Sequence, residues 1–295
     1  MSKRFFSSLS NEVSESWSDR IALSGVTDRF MNNFSVSFAG TTVTIGYDTS
    51  EALEHLILLF ADVYIESTEF PCSPRLFLTR SGESNEYQFR DGSTVLCRGA
   101  LDIQFSAHLF DTVIFHLLNK ADSGIALHAG GIVCDGKTIL LPGLSGAGKS
   151  TLTALLISKH CAYLTDELVY ISKGDHHHIQ YFSRPICLKA ETVPLILKLL
   201  PNHCASDVLQ DRHGAIIPHR CLNPKVGMPY PPPSLIVLPS FKQSIRPELE
   251  KISRARLITL LMGCHVNARN LVDHGFKEII EIARSTPAYL FKYGC

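Results

Sequence analysis

The segment LLPGLSGAGKSTLTALLISKHCAYLTDELVYIS, residues 140–172, limits what this chain can fold into more than any other stretch. Gly143 to Ser150 fits G-x-x-x-x-G-K-[ST] at every fixed position, with an apolar run before it and a run of helix formers after it. Each part of the loop has a physical task. Gly143, Gly146 and Gly148 allow a tight path. Along it the backbone N–H groups, those of Leu144, Ser145 and Ala147 among them, point inward as an anion nest at the positive end of the following helix. Lys149 can reach the β- and γ-phosphates, and Ser150 can set its hydroxyl on Mg²⁺ with Thr151 nearby. The expected ligands are therefore ATP and Mg²⁺.

Asp166 and Glu167 follow only seventeen and eighteen positions after Lys149. A helix of roughly eleven residues is about 16 Å long. A short return then carries the next strand back beside the one before the loop, with both acids near the phosphates. Adjacent strand residues point to opposite faces. One acid is thus expected to face a phosphoryl acceptor, and the other a metal or a structural partner.

Composition removes several other classes. The 295 residues carry 28 basic and 28 acidic side chains, so neither nucleic acid nor an anionic membrane is the default partner. No apolar run is long enough to span a bilayer, and the N-terminus lacks the apolar core of a signal peptide. Nine cysteines without a C-x-x-C pair suggest reduced thiols and a cytoplasmic setting. His176, His177 and His178 sit in KGDHHH, which reads as a hairpin tip, and consecutive strand residues cannot converge on one ion.

Along the chain, residues 1–104 read as an accessory α+β lobe and residues 105–295 as the nucleotide-binding core. In the first part, FSVSFAG and TTVTIGY alternate about Ala39–Gly40, and EYQFRDGSTVLCR carries a turn signal at Asp91–Gly92. SEALEHLILLF has helical length with Ser50 as its expected N-cap. In the second, QFSAHLFDTVIFHLLNK reads as a helix burying Leu109, Phe110, Val113, Leu117 and Leu118. ALHAGGIVCDGKTILLPG gives two strands joined at Asp135–Gly136, and residues 205–233 read as irregular. SLIVLPSF is expected as a buried strand, Ser253 as the cap of RARLITLLMGCHV, and GFKEIIEIARS and AYLFKYG as a closing helix and strand.

A specific likeness emerges once these motifs are taken together. His128-Ala129-Gly130 lies fifteen residues ahead of Gly143, the phosphate loop follows, and the acidic doublet comes next. With YFSRPICLK, SLIVLPSF, ISRARLITLL and GFKEIIEIARSTPAYLFKYG, this order resembles the HPr kinase/phosphorylase family over roughly Phe105 to Cys295. The resemblance implies an α/β fold, with a mixed-sheet P-loop kinase core of the phosphoenolpyruvate-carboxykinase type. It also implies an ATP- and Mg²⁺-dependent kinase acting on a hydroxyl, with serine favoured, in a protein, peptide or small molecule. Asp166 would then be the base and His128 would lie near the reacting phosphate. Ser150 and Glu167 would hold the metal, and Arg184 would face the phosphates.

The chain departs from the family in two places. The second acid is Glu rather than Asp, and the glycine-rich signature is replaced by FSRPICLKAE, with Phe182 about where a further acid stands in the family. Glu167 still permits metal binding, whereas the missing signature counts against HPr itself as the acceptor and against the reverse, phosphorylase reaction. The loop GLSGAGKST also resembles that of adenylylsulfate kinases, and a regulatory nucleotide-binding module without transfer is a further alternative. Asp166 as a turn-capping residue, His128 as a core histidine and Arg184 as the partner of a surface carboxylate are the structural alternatives. Assembly into a homo-oligomer is left open.

Overall fold

Alternation about Ala39–Gly40 folds the first hairpin, β1 (Asn32–Phe38) and β2 (Thr41–Tyr47). Ala39 and Gly40 take φ of 53° and 74°, the positive pair that a two-residue hairpin turn requires. The computed structural model describes residues 31–66, 74–82, 85–173, 179–224 and 232–294. The histidine run 176–178 and the N-terminal residues 1–30 lie outside these. Asn32–Cys295 form one compact unit.

Four more strands complete the first sheet: β3 (Tyr64–Ile65), β4 (Leu76–Arg80), β5 (Tyr87–Asp91) and β6 (Thr94–Gly99). Their order is β3-β1-β2-β4-β5-β6, with β2 and β4 parallel and the other pairs antiparallel. The helix Ser50–Phe60 is capped one residue earlier than expected. Thr49 keeps extended φ/ψ and accepts from the Ala52 amide, while Ser50 is already helical. Helix Ile103–Leu118, capped by Asp102, buries all five residues expected in its core. The expected boundary at 104/105 falls inside this helix. One apolar cluster there joins the first sheet to Ala126, Leu168, Tyr170 and Phe182 of the next.

The second sheet contains β7 (Gly124–Cys134), β8 (Lys137–Pro142), β9 (Ala162–Thr165), β10 (Leu168–Ser172) and β11 (Ile179–Phe182). It is completed by β15 (Pro233–Phe241), β16 (Glu248–Lys251) and β17 (Ala288–Tyr293). The order is β11-β10-β7-β8-β15-β17-β16, and β9 also pairs with β7. β15 runs parallel to both β8 and β17, and the remaining pairs are antiparallel. A small third sheet, β12-β14-β13, is built from β12 (Ile186–Lys189), β13 (Leu209–Asp211) and β14 (Gly214–Ile217). The fold is mixed α/β with mixed sheets and seven α-helices among the described residues.

Alternation along β8 sets the layers. Leu140 faces a cluster formed with the helices Arg254–Cys264 and Phe276–Ser285. Its neighbours Ile139 and Leu141 face the helix Lys149–Ser158. Each sheet face is thus covered, and truncating Leu140 to Ala would cost about 2–5 kcal/mol. No described helix is long and apolar enough to cross a membrane.

Three expectations are corrected here. The strand after the loop helix does not lie beside β8. The tight Asp135–Gly136 turn lays β7 along one side of β8 and β15 takes the other, so β9 pairs with β7. Residues 209–217, expected to be irregular, form the β13–β14 hairpin. β14 is buried at all four positions and so carries no alternation to read. The cysteines are not all reduced: Cys134 and Cys161 form a disulfide, because β7 and β9 bring their Cα atoms to 4.6 Å.

Candidate functional site

The glycine-rich loop leaves β8 at Gly143 and enters its helix at Lys149. Gly146 and Gly148 have φ of 85° and 93°, which side chains other than glycine strongly resist. The loop is braced from two strands: the hydroxyl of Tyr293 on β17 donates to the Gly148 carbonyl at 2.8 Å, and the amide of Phe241 on β15 donates to Ala147 O. Lys149 is buried, and its ammonium donates to the carbonyls of Gly143 at 2.7 Å and Leu144 at 3.1 Å. Burial is the main influence lowering its pKa, opposed by Glu167, Cys264 and Asp166. The Leu144, Ser145 and Gly146 side of the loop is exposed, and Ser150 and Thr151 are half-buried.

The acidic pair sits where β9 gives way to β10. Both strands pair with β7, β9 at Gly131–Val133 and β10 at Gly124–His128, so the chain bulges at Asp166–Glu167 against Ala129. The Ala129 amide donates to Glu167 O at 3.0 Å. Thr165 ties the bulge. Its hydroxyl donates to Phe182 O at 2.6 Å and accepts from the amides of Glu167 and Leu168. The bulge breaks strict alternation, so the acids do not point to opposite faces as expected. Both reach Arg184 instead.

Arg184 Nε bonds Asp166 Oδ1 at 3.2 Å, and its Nη2 bonds Glu167 Oε2. The guanidinium also stacks on Phe110, 4.6 Å from the ring centre. Asp166 is 1% exposed. Its Oδ1 also meets the Tyr163 hydroxyl at 3.3 Å, whereas its Oδ2 is buried without a hydrogen-bond partner among the described residues. Tyr163 donates more closely to Arg184 O, at 2.8 Å, and burial then Asp166 hold its phenol well above the usual range. Arg184, expected to face the phosphates, is thus bound to both acids; this is the carboxylate pairing of the structural alternative, made with a buried and a half-buried acid rather than a surface one.

His128 lies on β7 opposite Leu168, with Nε2 3.7 Å from Glu167 Oε1. Burial lowers its pKa, opposed by Glu167 and reinforced by Lys149 and Arg184. Gly130 has a separate reason: a Cβ there would stand 2.9 Å from Thr153 Oγ1, and the loop helix could not lie so close to β7.

These parts line a single cleft of about 710 Å³, bordered by Ser145, Gly146, Gly148, Lys149, Ser150 and Thr151 together with His128, Asp166, Glu167 and Arg184. That volume lies within the usual range for small-molecule sites. Ser150, Asp166 and Glu167 supply hard oxygen donors, the type Mg²⁺ prefers. Two residues of this neighbourhood gave no sign in the sequence. Tyr163 reads as an apolar strand residue, and Tyr293 lies far along the chain from the loop it braces. No family model matches the chain, and no curated protein matches it.

Proposed function

We propose that this chain is an ATP- and Mg²⁺-dependent phosphotransferase with a P-loop core of the phosphoenolpyruvate-carboxykinase type. It moves the γ-phosphoryl group to a hydroxyl, with serine favoured on the likeness to HPr kinases. One observation carries the reading: the phosphate loop and the group Asp166, Glu167, Arg184 and His128 line the same cleft. In this reading the loop amides and Lys149 bind the phosphates, with the ammonium exchanging loop carbonyls for phosphate oxygens. Ser150 and Glu167 hold Mg²⁺, and the orphaned Asp166 Oδ2 fits a site that awaits a ligand. Bound magnesium would neutralise phosphate charge. Asp166 Oδ1 is fixed by Arg184 and Tyr163, which leaves Oδ2 to accept the proton of the incoming hydroxyl. Help of this kind is worth roughly 10²–10⁴-fold.

A second reading is a nucleotide-binding module without transfer. Arg184 occupies both acids, and Phe182, where the family has a further acid, is fully buried against Phe38 and Phe60. One experiment separates the two. The chain is incubated with MgATP and a panel of serine-bearing acceptors, while calorimetry measures nucleotide binding. Phosphorylated product that Asp166→Asn reduces at least about 100-fold, with affinity kept within a few-fold, supports the kinase. Binding without product across the panel favours the module. Equal nucleotide binding by the parent and Lys149→Ala would refute the phosphate-loop assignment.

A further inference from the structure

No spacing among the nine cysteines reads as a metal motif, yet Cys204, Asp207 and Cys221 meet at one point. Cys204 and Asp207 stand three residues apart on the 3-10 segment Asn202–Asp207, and Cys221 comes from the short helix His219–Leu222. Their sulfur and carboxylate atoms all lie within 4.8 Å of one another. Both thiols are buried and Asp207 is half-buried, so the carboxylate forms the mouth of the group. The cluster lies apart from the nucleotide cleft; none of its three residues lines that cleft.

We propose that Cys204, Asp207 and Cys221 bind one zinc-type divalent cation, with the fourth coordination position open to water. Two sulfurs and one carboxylate suit a borderline-soft ion and disfavour Mg²⁺ or Ca²⁺, which prefer oxygen alone. Zn–S bonds of about 2.3 Å set tetrahedral sulfur ligands roughly 3.8 Å apart, so side-chain adjustment of about 1 Å closes the site. On binding, two metal–sulfur bonds and one metal–oxygen bond form. Each thiol releases its proton to solvent, so affinity falls as pH is lowered. Two thiolates and one carboxylate around a dication leave a net charge of minus one.

The position suggests what the ion would do. Two residues after Cys221, Asn223 donates to Ile157 O at 3.1 Å and Cys161 O at 3.0 Å, closing the end of the phosphate-loop helix. Two residues before Cys221, His219 stacks on Tyr163 at 4.3 Å and bonds Asp62 at 2.9 Å. A cation pinning Cys221 to the 202–207 turn would fix the segment that supports both. The inference does not depend on phosphotransfer.

The test uses the full chain, stripped with chelator, held in a phosphine reductant and titrated with Zn²⁺ or Co²⁺. One metal per chain is expected, with sulfur-to-cobalt charge-transfer absorption in the near ultraviolet. Cys221→Ser should lower affinity at least about tenfold and remove much of that absorption. Asp207→Asn should keep the absorption and weaken binding, and Cys97→Ser, on β6, should change neither. Since Cys221→Ser could fail to fold, alkylation of the parent is mapped in parallel. Zn²⁺ should slow modification of both Cys204 and Cys221 at least about tenfold. Absence of metal uptake would overturn the proposal, as would charge transfer unchanged in folded Cys221→Ser, which would point to thiols freed from Cys134 and Cys161. Alkylation unaffected by Zn²⁺ would overturn it too.

Discussion

Arg184→Met tests the electrostatic centre of the site. The guanidinium is 11% exposed and the Asp166 side chain is fully buried, so the substitution strands a carboxylate whose only other hydrogen bond among the described residues comes from Tyr163. Removing one partner of a buried ion pair costs about 3–5 kcal/mol. Glu167 adds little, because its side chain is 22% exposed and solvent screens it. The lost contact with Phe110 is offset by the thioether's own affinity for an aromatic ring. At 2–4 °C per kcal/mol, the thermal midpoint at neutral pH should fall by roughly 6–20 °C. One control identifies the cause. Adding Asp166→Asn to Arg184→Met should recover at least half of the loss, because the amide carries no charge. Scanning calorimetry of the parent, Arg184→Met and the double variant near pH 7.5 provides the measurement. A midpoint within about 2 °C of the parent, or a double variant no better than Arg184→Met, would show that the pair does not behave as a buried ion pair.

Three further outcomes are expected. Burial lowers the pKa of His55, hydrogen-bonded to Ser106, from 6.5 to about 4, opposed by Asp102. The unfolded chain therefore takes up this proton first. Stability present above pH 6.5 is lost toward pH 4, by about 2 kcal/mol at pH 5; His55→Leu should flatten that part of a pH series of urea midpoints. Tyr293→Phe removes the hydroxyl bonded to Gly148 O, so stability should fall by about 1 kcal/mol and nucleotide affinity by a few-fold, read by calorimetry. Gly148→Ala forces a methyl against that same hydroxyl at φ 93° and should destabilise by about 1–3 kcal/mol, with partial rescue by Tyr293→Phe in thermal melts.

Local patterns needed only neighbouring residues, and these were legible. Ala39–Gly40 and Asp135–Gly136 mark hairpins because two adjacent positive φ values restrict residue choice at those positions. The apolar face of helix Ile103–Leu118 and the cap at Ser253 follow from helical spacing and from a side chain that satisfies a free amide. The glycine-rich loop is legible too, since Gly143, Gly146, Gly148 and Lys149 fall in one short stretch between a strand and a helix. What the acids touch did not follow from such rules. Asp166 and Glu167 share a side because β9 and β10 pair with different parts of β7, which forces a bulge that period-two reasoning cannot anticipate. Arg184 bridges them from the turn between β11 and β12, Tyr163 holds the pair from β9, and Tyr293 braces the loop across 145 residues of chain. Cys204, Asp207 and Cys221 likewise meet only when the 3-10 turn and the short helix pack together. Short-range chemistry is written in adjacent residues, whereas charge pairing, burial and ligand sets depend on which distant segments the packed sheets bring within a few ångströms, and only the tertiary structure decided those.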